Sequence, residues 1–283
     1  MSKSERPNDW QEDSASQTTE PAKAQSKKKL RPATIVLALV IVACLAGAGY
    51  GAAQMLDAQR QIEDAQNAES VEPATPDEEQ ETVELEDNPI NFEKLQKQNK
   101  DIYAWIYVPN TNVNHAVLQH SKNNAYYLDH DENKESSVLG AVFSENFNTK
   151  DFTDAVTVLY GHNSNNQAMF STLHYFEDKA FFKENKKFYI YTPGHIYTYK
   201  IVSAFTTDDR HILYKNKYFQ TYEQLRAFES EILDPHSIEQ NTRKASLDDN
   251  SKIVVLSTCN SGAQAKHGRY IVCGVMTNDQ QTN

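Results

Sequence analysis

Ile253-Val254-Val255-Leu256-Ser257-Thr258-Cys259 opens with four aliphatic residues, three of them β-branched, and closes on two small hydroxyl residues and a cysteine. The aliphatic run predicts a buried strand. Its end would present a thiol rigidly at a surface. Arg269 follows ten positions on. Far upstream, Val156-Thr157-Val158-Leu159-Tyr160 predicts a second strand that runs into Gly161-His162-Asn163. A thiol, an imidazole and a guanidinium, each at or near a strand end, are the parts of a thiol acyl-transfer site.

Around these two strands the chain from Asn88 onward reads as one globular domain, 88–283. Phe92 and Leu95 share a face three residues apart and predict a short helix reaching Asn99. Strands are predicted over Ile102–Val108, Asn112–Leu118 and Leu139–Phe143, with a turn at Asn123-Asn124. Helical turns are expected over Met169–Tyr175 and Lys179–Glu184. Phe188–Thr192 and Ile196–Phe205 form a hairpin across Pro193-Gly194, a strong turn dipeptide. Tyr222, Leu225, Phe228 and Ile232 recur at spacings of 3, 3 and 4, which predicts an amphipathic helix over Thr221–Leu233. Tyr270–Met276 is the last strand. So many short strands with so few helices indicate a mostly-β barrel.

The first 87 residues are different. Residues 1–32 are polar, with almost no large aliphatics, and predict a disordered segment that ends in Lys27-Lys28-Lys29-Leu30-Arg31. Residues 33–56 form an uncharged, mostly apolar run of 24 residues. As a helix it would be about 36 Å long, enough to span a hydrocarbon core of about 30 Å. Its length, and the polar residues before it, favour a membrane anchor over a cleaved signal peptide. Residues 57–87 carry twelve acids and one base together with Pro73 and Pro76, and predict an extended linker. Basic residues before the span and acidic ones after it place the N-terminus in the cytoplasm and the domain outside the cell, the topology of a single-pass membrane protein.

Charge narrows the partners. The chain carries −11 overall, but from Asn88 onward it has twenty bases and twenty-two acids, so the excess lies in the linker. That balance argues against a nucleic-acid partner, which needs a basic surface. Three cysteines, one of them Cys44 inside the apolar run, are too few for a disulfide framework.

Cys273, inside Ile271-Val272-Cys273-Gly274-Val275, reads as core packing. Cys259 lies among Ser257, Thr258, Asn260, Ser261 and Gly262 and reads as exposed. Chemistry at a thiol needs the thiolate, which a nearby histidine and arginine favour. The arginine fork also suits a developing oxyanion. Of nine histidines, His162 is preferred because it follows a strand through a glycine. His267, close to Arg269, is its rival, and the others read as surface or packing residues. No short ligand spacing supports a zinc site, and no cofactor is expected. A papain-like order is disfavoured, because there the cysteine precedes the histidine. The residues alone leave two readings open: a cysteine transferase or protease, and a membrane-tethered binding module with structural cysteines.

The motifs separate them. Leu256-Ser257-Thr258-Cys259 followed by Arg269 resembles the sortase signature, a TLxTC strand with a downstream arginine. Leu159-Tyr160-Gly161-His162-Asn163 is similar to the sortase histidine segment. The likeness continues through Asn124-Ala125-Tyr126-Tyr127-Leu128, Met169-Phe170 and a helix between Tyr218 and Ile238, an insertion typical of class B. One departure is Val255, where threonine is usual. The resemblance implies a closed eight-stranded β-barrel with a few peripheral helices. It implies Cys259 as nucleophile, His162 as acid and base, and Arg269 at the oxyanion or the substrate backbone. It also implies peptide contacts from Ser257, Thr258, Asn260 and Asn124. The expected partners are secreted proteins with a C-terminal sorting signal, and a lipid II-type cell wall precursor whose amine accepts them, or alternatively a pilin lysine.

Overall fold

The computed structural model describes residues 85, 87–164, 166–259 and 268–283. The chain divides into two compact units at residues 53/54, and all described residues belong to the second. The polar N-terminus, the apolar run of residues 33–56 and the linker up to residue 84 lie outside them. No helix among the described residues is long and apolar enough to cross a membrane.

Among the described residues nine strands build one sheet. In chain order they are β1 Ile102–Tyr107, β2 Asn114–Leu118, β3 Val142–Ser144, β4 Val156–Tyr160, β5 Lys187–Thr192, β6 His195–Asp208, β7 Gln240–Thr242, β8 Ile253–Cys259 and β9 Gly268–Gln281. Their spatial order is β5-β1-β2-β3-β4-β8-β9-β6-β7, and a further β5–β6 pairing closes the first eight into a barrel. The short β7 adds to β6 beyond the reach of β5. Two pairs, β2–β3 and β4–β8, are parallel, and the rest are antiparallel.

Alternation of side chains along each strand assigns the two faces. One apolar cluster draws residues from all eight barrel strands, among them Ile106, Val117, Val142, Leu159, Ile190, Ile201, Leu256 and Val272. It is therefore the barrel interior. The neighbouring positions point outward: Val156 and Val158 of β4, Ile253 and Val255 of β8, and Ile271 and Cys273 of β9 form a second cluster. Two helices in the β6–β8 connection cover that outer face, α3 at Ile212–Lys215 and α4 at Tyr222–Leu233. Thr221 and Gln224 cap α4 reciprocally, and Leu225, Phe228 and Ile232 dock it on the sheet. Tyr222, expected on the same apolar face, is 63% exposed and lies outside the buried stripe. The remaining helices are α1 at Phe92–Gln98 and α2 at Lys179–Glu184.

Departures from the sequence reading have local causes. The helical turn expected over Met169–Tyr175 forms as a 3-10 helix shifted to Ser171–Glu177. The last strand extends from Gly268 to Gln281 because β6 pairs with it along the whole length, Thr198↔Asn278 included, so polar residues are drawn into the ladder. The predicted Leu139–Phe143 strand shifts to Val142–Ser144, where its partners Val117 and Tyr160 are. The Pro193-Gly194 turn forms as expected, with Gly194 at φ +85°.

Gly274 marks the tightest point of the interior. A Cβ there would lie 2.3 Å from the Phe188 ring, which stacks on Tyr199 at 5.0 Å. Gly274→Ala should therefore cost about 1–3 kcal/mol and lower Tm by about 2–4 °C per kcal/mol, measurable by thermal unfolding.

Candidate active site

The parallel β4–β8 ladder runs in register from Val156↔Ile253 to Tyr160↔Ser257, so both strands end at the same level of the barrel. His162 and Cys259 each lie two residues beyond that last pair. On the other side of β8, Cys259 pairs directly with Arg269 of β9. Strand alternation puts Cys259 in line with Val255, Arg269 with Cys273, and His162 with Val158 and Tyr160, all on the outer face. Cross-strand partners have Cβ atoms about 5 Å apart. Three residues separated widely in sequence thus share one end and one face of the sheet.

Their surroundings differ as chemistry requires. Cys259 is a free, half-buried thiol, whereas Cys273 is free and fully buried. Burial pushes the Cys273 thiol up to about 12. With both thiols free, no disulfide joins them, which removes the basis for a module with bridged structural cysteines. His162 is half-buried, and its Nε2 lies 2.6 Å from the Leu128 carbonyl. The carbonyl can only accept, so Nε2 carries a proton and Nδ1 is the nitrogen left to exchange one. Gly161 is needed for close approach: a Cβ there would sit 2.6 Å from the Phe170 ring. Arg269 is part-buried and its Nη1 donates to the Gly268 carbonyl at 3.2 Å. Its charge also acts on Tyr160, whose hydroxyl is nonetheless held well above its ordinary range by burial.

The expected peptide-contacting residues are placed unequally. Ser257 is buried on the same face as Cys259. Thr258 points the other way, into the barrel: it is 2% exposed and its Oγ1 has no partner. It is a packing residue behind the nucleophile, away from the face on which a peptide would lie. Asn124 is half-buried and its Oδ1 accepts from the Asn146 amide at 2.9 Å. Asn260 and His267 lie outside the described residues.

Two other histidines reach the site. His211 caps α3 through Nδ1, which accepts from the Tyr214 amide, and its Nε2 contacts Glu145 Oε1 at 2.7 Å and the Tyr160 hydroxyl at 3.5 Å. It pins the helical crossover to the end of β4. His174, read from sequence as a packing or surface residue, places Nε2 3.0 Å from the Cys259 carbonyl and Nδ1 2.5 Å from Glu177 Oε1. Asn163 donates to the same carbonyl at 3.1 Å. The one sequence signal for this group is the spacing of His174 and Glu177, and an acid three positions after a base is too common a pattern to single it out.

Comparison with known proteins places the chain. The sortase domain model matches residues 106–277, a span holding His162, Cys259 and Arg269. Sortase B of Listeria monocytogenes is 28% identical over 180 residues, 64% of this chain and 71% of that protein. The sortase B structure of Clostridium perfringens is similar with a TM-score of 0.59 at 28% identity, over 66% of this chain and 100% of that one. Staphylococcus aureus sortase B in its substrate complex gives 0.58 at 27% identity, over 66% of this chain and 84% of that one. The closed barrel thus matches class B sortase structures, and the chain belongs to the sortase family of cysteine transpeptidases.

Proposed function

We propose that this sortase is anchored in the cell membrane by residues 33–56, and that its barrel lies outside the cell. There it cleaves a sorting motif near the C-terminus of secreted proteins and transfers them to an amine of a cell wall precursor. The observation that carries the reading is the cross-strand pair Cys259↔Arg269, with His162 at the end of the adjoining parallel strand. The uncharged run between a basic cluster and an acidic linker supports the topology.

The chemistry follows from these groups. The Cys259 thiol gives its proton to His162, its sulfur attacks the scissile carbonyl carbon, and the carbonyl oxygen takes the negative charge of the tetrahedral intermediate. The Arg269 guanidinium, permanently charged and rigidly forked, stabilises that oxyanion. As the C–N bond breaks, His162 gives its proton to the departing amine, leaving a thioester on Cys259. An incoming amine then loses a proton to His162 and attacks the thioester. The thiolate leaves and the new amide bond is complete.

The enzyme should be incubated with a panel of fluorogenic sorting peptides, with and without an amine acceptor, and followed by intact mass. An acyl adduct on Cys259, discharged faster by amine than by water, is expected. No adduct with any peptide would overturn the reading. Cys259→Ala should abolish the adduct, and Arg269→Lys should lower kcat by about 10²-fold, because an ammonium cannot reproduce the fork. Peptide-mapped alkylation at pH 8 should label Cys259 rapidly and leave Cys273 unlabelled until the protein unfolds, since the Cys273 thiol is buried and pushed up to about 12.

A further inference from the structure

The backbone ladder between β4 and β8 stops one step short of the nucleophile. Its last bond runs from the Gly161 amide to the Ser257 carbonyl at 3.2 Å. In a parallel pair the next bond of this kind would run from the backbone amide of residue 163 to the carbonyl of residue 259. Side chains make it instead. Asn163 Nδ2 lies 3.1 Å from the Cys259 carbonyl, and His174 Nε2 lies 3.0 Å from it. The two side chains also meet each other, Nδ2 to Nε2, at 3.1 Å.

His174 is held on three sides. Nδ1 faces Glu177 Oε1 at 2.5 Å, and the ring stacks on Tyr270 with centroids 4.7 Å apart. Its side chain is 12% exposed. Both ring nitrogens face oxygen acceptors, and only the imidazolium donates to both. In the neutral ring with its proton on Nδ1, the Asn163 amide has two N–H groups, one for Nε2 and one for the Cys259 carbonyl. Either way the carbonyl keeps a donor.

We propose that His174, oriented by Glu177, is a positioning residue for the nucleophile: with Asn163 it clamps the Cys259 carbonyl on the side where β8 has lost its β4 partner. The clamp fixes the Cys259 backbone, and with it the placement of the thiol on the face it shares with Arg269. A misplacement of about 1 Å in such a group costs about 10²-fold in rate. The inference rests on the transpeptidase reading, in which Cys259 is the attacking group.

The test uses the full chain with three substitutions, His174→Ala, His174→Gln and Glu177→Gln. Three quantities are measured: kcat and KM with a sorting peptide, the alkylation rate of Cys259 by iodoacetamide without substrate, and Tm. Gln sets an amide N–H near the position of Nε2. His174→Ala should lower kcat about 10- to 100-fold with KM changed less than about twofold, and slow Cys259 alkylation several-fold. His174→Gln should recover most of both losses, and Glu177→Gln should fall between. Wild-type kcat and alkylation in His174→Ala would overturn the proposal. So would a His174→Gln variant no better than alanine whose losses simply follow a drop in Tm. If the wild-type enzyme turned over no peptide, the transpeptidase reading would fail, and the alkylation rates alone would still decide whether His174 positions the thiol.

Discussion

The five-residue parallel ladder between β4 and β8 carries the site, because it joins the histidine strand to the cysteine strand. A parallel pair cannot be closed by a turn and needs a long crossover. Here the crossover runs from residue 161 to residue 252 and holds α2, β5, β6, α3, α4 and β7. Closing a loop of that length costs about 4 kcal/mol beyond a constant term. The two strands offset it by being buried on both faces. Val158, Leu159, Val255 and Leu256 are each fully buried, and each is worth about 1.5–3 kcal/mol. The crossover therefore does two things with one chain segment: it closes the barrel through β5–β6, and it covers the outer face with α3 and α4.

Position along that ladder decides what a cysteine does. Cys273 and Cys259 lie on the same outer face of neighbouring strands. Cys273 pairs opposite Val255 beneath the helical cover, where burial holds the proton on the sulfur. Cys259 stands four residues further along β8, past the cover, at the level where β4 has left the sheet. There its sulfur is half-exposed and an arginine stands opposite. The same termination that exposes the thiol also strips its carbonyl of a strand partner, and Asn163 and His174 supply the missing donors. Exposing a nucleophile at a strand end and fixing its backbone are opposing demands, met here by side chains instead of main chain.

Much of this is legible in the chain because local chemistry is strong at particular places. The β-branched runs at Val156–Tyr160 and Ile253–Cys259 are strands in the structure, the Pro193-Gly194 dipeptide is a two-residue turn, and Leu225, Phe228 and Ile232 are the buried stripe of α4. Where local signals are weak, pairing decides. Thr277-Asn278-Asp279 has no strand pattern of its own, yet it lies in β9 because β6 is long enough to pair with it. Gln240–Thr242 is a strand only because β6 offers a free edge there. Thr258 reads as a surface neighbour of the cysteine, but the two-residue period of the strand turns it inward.

The sequence by itself determined the mostly-β class, the candidate nucleophile and its two basic companions by type, because strand propensity, turn chemistry and the glycine before His162 are properties of short segments. Tertiary structure alone decided that β4 and β8 run parallel and in register, which way Thr258 faces, and that His174 and Asn163 converge on the Cys259 carbonyl. Asn163 and Cys259 are 96 positions apart. No local pattern encodes a contact across that distance. It exists because two strands must share a ladder to bury both of their faces, and where the ladder ends, whatever side chains stand there must satisfy the backbone.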